Sequence, residues 1–151
     1  MQCRGARGVV ATGIFFVDKL CGGGAVIGGF TQLIDSDIRE SLSSLPEGST
    51  IVGCACYDRP FYQVFSADEL LAVISACESG SLVILVLDFM LVHLLNDAVC
   101  RALRVEALSN KLAVLVLSTS LTWPDEVEGR VRVDKQKRSA VETSLYPQLF
   151  R

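Results

Sequence analysis

The run Gly13-Ile14-Phe15-Phe16-Val17-Asp18-Lys19-Leu20-Cys21-Gly22-Gly23-Gly24-Ala25-Val26-Ile27-Gly28-Gly29-Phe30 decides how this chain is read. Ile14 to Val17 is short, apolar and rich in aromatic and β-branched residues, which predicts a buried strand. Gly22, Gly23, Gly24, Gly28 and Gly29 then crowd one turn. Val26, Ile27, Phe30, Leu33 and Ile34 recur at threes and fours, which predicts a helix over 25–44. Strand, glycine turn and helix open a nucleotide-binding βαβ unit. In such a unit the glycines let a pyrophosphate approach the free N–H groups at the helix start.

The glycines fit that chemistry poorly. G-x-G-x-x-G finds no frame, because Ile27 stands where Gly22 and Gly24 would need a glycine. The nearest frame, Gly23, Ala25, Gly28, has a methyl group where the phosphate must come close. The main reading is therefore a loop kept for packing, with no cofactor. The alternative is an NAD(P) or adenine nucleotide held by Gly22, Gly23, Gly24 and Gly28.

Downstream, three further strands suggest themselves. Residues 50–56 are small and β-prone, whereas 82–87 and 112–118 are continuous apolar runs of the kind covered on both faces of a parallel sheet. Ser66-Ala67-Asp68-Glu69 is a capping box that starts a helix ending near Gly80. Residues 89–108 return to helical spacing. The resulting βαβαβαβ order predicts a three-layer α/β Rossmann-like fold. Its parallel sheet would have about four strands in the order 3-2-1-4, with strand four at an edge in need of cover.

The boundary of this domain is set at 123. From Pro124 to Arg138 acids and bases are densely mixed, which predicts a solvated segment or one ordered by a partner. Ser139 to Arg151 regains apolar side chains, among them Tyr146 and Phe150. Residues 124–151 are thus read as a charged C-terminal extension that docks elsewhere.

Composition narrows the function. The net charge is -3 and the pI about 5.1, with no basic stripe along the sequence, so nucleic acid is not an expected partner. Mean hydropathy is +0.42, which fits strands buried on both faces. The most apolar window, 82–95, contains Asp88 and His93 and is too short to span a bilayer, so no membrane role is expected. Six cysteines show no C-x-x-C pair, and with His93 the only histidine no metal site is expected. The thiols read as reduced and buried, and His93 as a core histidine.

Catalytic constellations are incomplete. A dehydrogenase of this layout needs Tyr-x-x-x-Lys, in which the lysine lowers the tyrosine pKa. Tyr146-Pro147-Gln148-Leu149-Phe150 puts phenylalanine at the lysine position. No Walker A motif occurs, and Asp58 reads as a turn residue. The chain is expected not to be an enzyme.

Leu112-Ala-Val-Leu-Val-Leu-Ser-Thr-Ser-Leu-Thr-Trp123 resembles the N-terminal, epimerase-like Rossmann domain of the ciliary adenylate kinase 7 family. Ser118, Thr119, Thr122 and Trp123 carry the specific part, and the likeness covers roughly residues 13–123. The resemblance implies a degenerate dinucleotide fold used as a non-catalytic building block. That implies a cytoplasmic protein of the ciliary or flagellar axoneme, near radial spokes or the central apparatus, with other proteins of a large assembly as partners. Trp123, Tyr146 and Phe150 are the expected interaction anchors.

Overall fold

The computed structural model describes residues 8–53, 60–87, 89–119, 126–134 and 139–143. The chain runs β1 (Val9–Val10), α1 (Phe15–Leu20), β2 (Ala25–Val26), β3 (Phe30–Ile34), α2 (Arg39–Ser44) and β4 (Thr50–Val52). It continues through α3 (Ala67–Ser75), β5 (Leu82–Val86), α4 (Phe89–Leu94), α5 (Asp97–Ser109), β6 (Ala113–Ser118), β7 (Gly129–Asp134) and β8 (Ser139–Thr143). Helices flank a parallel sheet, which is the expected three-layer α/β architecture of Rossmann-like type.

The strand order departs from expectation. The sheet reads β4-β5-β6-β3-β7-β8, with β3 to β7 parallel and β8 antiparallel at the edge. Counted by sequence among the parallel strands, the order is 2-3-4-1-5 rather than 3-2-1-4. β6 is therefore central, not an edge. The cover expected beside it is β3, and beyond β3 lies β7, from the segment read as an extension.

Two element assignments also change. Residues 15–20 are helical, not a strand, because Asp18 folds back on the preceding turn. Its carboxylate accepts from Thr12 N at 3.0 Å, Thr12 Oγ1 at 2.7 Å and Gly13 N at 3.1 Å. Residues 25–44 are not one helix. The first parallel strand is Phe30–Ile34, buried at every position, and a strand covered on both faces shows the same dense apolar content as a helix stripe. The helix predicted over 89–108 is broken at Leu95 and Asn96. There the Asn96 side chain accepts from Val99 N at 3.0 Å and starts α5 afresh. The capping box at Ser66 forms as expected, with Glu69 N donating to Ser66 Oγ at 3.1 Å.

Connectivity assigns the two faces. β3 leaves through α2 toward the far edge, and Leu42 joins Ile14, Val17, Leu33, Leu115 and Leu117 in one core. β4 and β5 leave through α3 and then α4 and α5. Their Leu70, Ile74 and Leu103 pack with Phe30, Leu85 and Val116 in the other.

Candidate functional site at the carboxyl ends of the central strands

In an open parallel sheet the ligand crevice lies where adjacent strands send their connections to opposite faces, beyond the strand carboxyl ends. At the centre of this sheet the neighbouring strands are β3 and β6, whose last register partners are Ile34 and Ser118. Asp35 N donates to Ser118 O at 2.9 Å, which closes the two strand ends together.

One face of this junction carries a buried polar row. Gln32 Nε2 donates to Ser118 Oγ at 3.0 Å, and Arg130 Nε donates to Gln32 Oε1 at 2.6 Å. All three residues are buried: Gln32 is 0% exposed, Ser118 2% and Arg130 7%. Gln32 and Arg130 are register partners on parallel strands, so their side chains leave the sheet on the same side. A glutamine amide suits the central place, because it donates at one end and accepts at the other.

The connection leaving β3 is the second part of the site. It is Asp35-Ser36-Asp37-Ile38, followed at once by α2. Asp35 is buried, and its Oδ1 accepts from Asp37 N at 3.0 Å. Asp37 Oδ1 accepts from Arg39 N at 3.1 Å and lies 3.5 Å from Arg39 Nε. The carboxylates thus satisfy the backbone of their own turn, as Asx turns do. No glycine or lysine stands where a P-loop would place its G-x-x-x-x-G-K-[ST] sequence.

The glycine cluster lies elsewhere, and its order is reversed. It follows helix α1 and leads into strands β2 and β3, whereas a phosphate turn follows a strand and opens a helix. Its glycines serve the packing of the β1–α1–β2 unit. A Cβ at Gly24 would fall 2.1 Å from Val10 O, and one at Gly28 would meet Leu108 Cδ2 at 2.6 Å. Gly23 N donates to Asp18 O at 2.8 Å, and Gly22 turns with open space around it. Gly22, Gly23, Gly24 and Gly28 are therefore not gathered at the crevice.

Other expected residues divide three ways. Ser118 and Thr119 reach the crevice, Thr119 in an exposed position. His93 is exposed on α4 rather than in the core, because Leu91 and Leu95 take the buried side of that turn. Trp123, Tyr146, Phe150, Thr122 and Asp58 lie outside the described residues. Cys21, Cys77 and Cys100 are half-buried. Burial, with Asp97 adding to it, pushes the Cys100 thiol up from its ordinary value of 9.0 to about 11. Among the described residues no group of His, Cys, Asp or Glu could hold a metal ion, and no helix is long and apolar enough to cross a membrane.

A second concave place lies at the β4 edge. Thr50, Tyr62, Ala72, Val73, Ala76 and Cys77 line a cleft of about 290 Å³. Tyr62 pairs along β4, donating from its N to Ile51 O at 2.8 Å and accepting from Gly53 N at 2.9 Å. Its side chain and those of Phe61 and Phe65 stay 54%, 38% and 59% exposed.

Sequence reasoning missed Gln32 and Arg130. The available signal was an amide inside an apolar run, Phe30-Thr-Gln-Leu-Ile34, where a buried polar group demands a partner. No family model matches the chain, and no curated protein matches it.

Proposed function

We propose that this chain is a non-catalytic interaction subunit built on a degenerate dinucleotide-binding fold. The first strand lies between the fourth and the fifth. The observation that carries the reading is the connection leaving β3. Asp35-Ser36-Asp37-Ile38 offers carboxylates where nucleotide phosphates would need backbone N–H groups and a lysine. With Asp35 buried and bonded to its own turn, a triphosphate approaching the strand end meets negative charge.

The exposed Phe61, Tyr62 and Phe65 support the interaction half of the proposal. Aromatic side chains clustered on one loop are enriched where proteins bind one another. The axonemal setting comes from the resemblance of the 112–123 run alone. A tagged chain that stays out of isolated axonemes removes that setting without touching the rest.

The test is equilibrium binding of a fluorescent ATP analogue with magnesium, together with phosphate release. We expect no saturable binding and no hydrolysis up to ~1 mM, the upper end of ordinary KM values. Saturable micromolar binding that is lost when Asp35 or Ser118 is replaced would overturn the proposal in favour of a nucleotide sensor or enzyme.

A further inference from the structure

The main sheet ends differently at its two edges. β4, at one edge, is three residues long. Its outer side is occupied, because Tyr62 N donates to Ile51 O at 2.8 Å and Gly53 N donates to Tyr62 O at 2.9 Å. β8, at the other edge, pairs with β7 along all of Ser139–Thr143. Among the described residues no strand pairs with its outer side. Such an edge is ordinarily blunted by proline, lysine or a bulge. Ser139-Ala140-Val141-Glu142-Thr143 contains neither proline nor lysine, and its register with β7 runs without a break.

Backbone alternation fixes which groups face outward. Asp35 N donates to Ser118 O, so residue 35 turns toward β6 and Ile34 turns toward β7. In a parallel pair, a residue bonded to the neighbouring strand stands opposite one whose groups turn away. Ile34 stands opposite Arg132, so the Arg132 backbone turns toward β8. Arg132 stands opposite Val141, and in an antiparallel pair the two then exchange both bonds. Val141 therefore faces β7, and Ala140 and Glu142 turn their N–H and C=O groups outward. Helix α1 lies against β7 and β8. It leaves Phe15 67% exposed, the most of any large apolar side chain among the described residues.

We infer that the outer edge of β8 pairs with the same edge of a second copy of this chain, antiparallel and centred on Val141, so that one sheet runs through a twofold dimer. The axis sets Ala140 opposite Glu142 of the second copy. Both residues turn outward, so each such pair exchanges its N–H···O bonds and leaves no outward group of either residue over. Charge selects this register. Glu142 is the one charged residue of the strand, and antiparallel pairing sets it opposite alanine. Parallel pairing in register would set it opposite itself, which is destabilising. Val141 meets its own copy at a non-hydrogen-bonded position, where cross-strand neighbours come closest. The same axis brings the two α1 helices, and Phe15 with them, to one face of the joined sheet on either side of the seam. The inference does not rest on the interaction-subunit reading, whose aromatic residues lie at the β4 edge.

The experiment is sedimentation equilibrium of the full chain across the micromolar range, with amide hydrogen exchange on the same samples. We expect a reversible species of twice the 16.3 kDa chain mass. The Ala140 and Glu142 amides should exchange more slowly as it forms. Ala140→Pro removes an outward N–H and leaves the bonds of Val141 to β7 in place, so it should weaken the dimer at least about tenfold. Phe15→Ser should weaken it by a smaller factor. Combined Phe61→Ser and Phe65→Ser, at the opposite edge, should dimerise like the parent. Circular dichroism checks that the variants fold, and should Ala140→Pro not fold, hydrogen exchange of the parent decides. The inference is overturned by a chain that stays monomeric or by a dimer whose Ala140 and Glu142 amides exchange as in the monomer. It is equally overturned by a dimer lost with the Phe61 and Phe65 pair and kept with Ala140→Pro.

Discussion

Arg104 Nη1 lies 2.9 Å from one carboxylate oxygen of Glu128 and 3.0 Å from the other, which pins helix α5 to the start of β7. The same Glu128 accepts from Phe30 N at 2.7 Å, so a single carboxylate ties together a helix and two parallel strands. Arg104 also stands over the Phe30 ring, 4.4 Å from its centroid, and Nη2 donates to Glu126 O. The fit is close enough that a Cβ at Gly29 would fall 2.5 Å from the Glu128 carboxylate.

Removing the cation should be far worse than softening the acid. The Glu128 side chain is 8% exposed, so Arg104→Ala strands a nearly buried carboxylate. We expect a loss of roughly 3 kcal/mol. Glu128→Gln keeps an acceptor for Phe30 N and should lose about 1 kcal/mol. Urea unfolding of both variants and of the double mutant measures the coupling. Equal losses for the two single variants would refute the assignment.

Gly13 and Gly22 separate backbone conformation from crowding. Both have left-handed φ, 76° and 72°, but a Cβ at Gly13 would lie 2.1 Å from Ser44 O, whereas nothing lies within 4 Å at Gly22. Gly22→Ala should cost about 1 kcal/mol, the ordinary penalty of that conformation. Gly13→Ala must in addition move backbone and should cost at least twice as much. Thermal unfolding of the pair decides this, and a Gly22→Ala loss as large as that of Gly13→Ala would count against the packing role.

The buried row at the strand ends makes a third expectation. Gln32→Leu removes the acceptor of Arg130 Nε and the donor to Ser118 Oγ together. A loss of roughly 2–4 kcal/mol follows from taking a bonded partner away from a buried cation. Ser118→Ala removes only a neutral hydroxyl and should lose about 1 kcal/mol. Comparable denaturation midpoints for the two variants would show that Arg130 does not depend on Gln32.

Cys100 gives the pH dependence. Its thiol ionises near 11 in the folded chain and near 9 in the unfolded one, because burial disfavours the thiolate. Between those values the unfolded state releases the proton first, so this contribution to stability is complete below pH 9 and is lost as pH rises toward 11. Cys100→Ala should flatten that part of the stability curve. Alkylation of Cys100 at pH 8 should also be slower than that of an unperturbed thiol, as read by mass spectrometry of the folded chain.

How much of this was legible in the sequence depended on how locally each element is determined. The β5 and β6 runs are apolar throughout and could only be strands covered on both faces. Ser66 and Glu69 fix the start of α3 within four residues. The first strand was misplaced because Phe15–Leu20 and Phe30–Ile34 are equally apolar. What separates them is the three hydrogen bonds that Asp18 accepts from Thr12 and Gly13, together with the partners of Gln32, which lie 86 and 98 residues away. Strand order was illegible for the same reason. Nothing local in Gly129–Asp134 says that it pairs with β3, and its alternating charge resembles a solvated segment until the partner strand is in place.

That long reach has a consequence for how the chain is made. β3 leaves the ribosome before any other parallel strand, yet both its neighbours come from the last third of the sequence. Until β6 is complete, Phe30–Ile34 has no parallel strand to pair with. β4 and β5 are then the only strands of the main sheet that can pair, at what will become its edge. Closing loops of this length before any contact rewards them slows folding and leaves apolar strand edges exposed during synthesis. A nascent chain stalled shortly after Ser109 should therefore hold chaperones, and one stalled beyond Thr143 should release them.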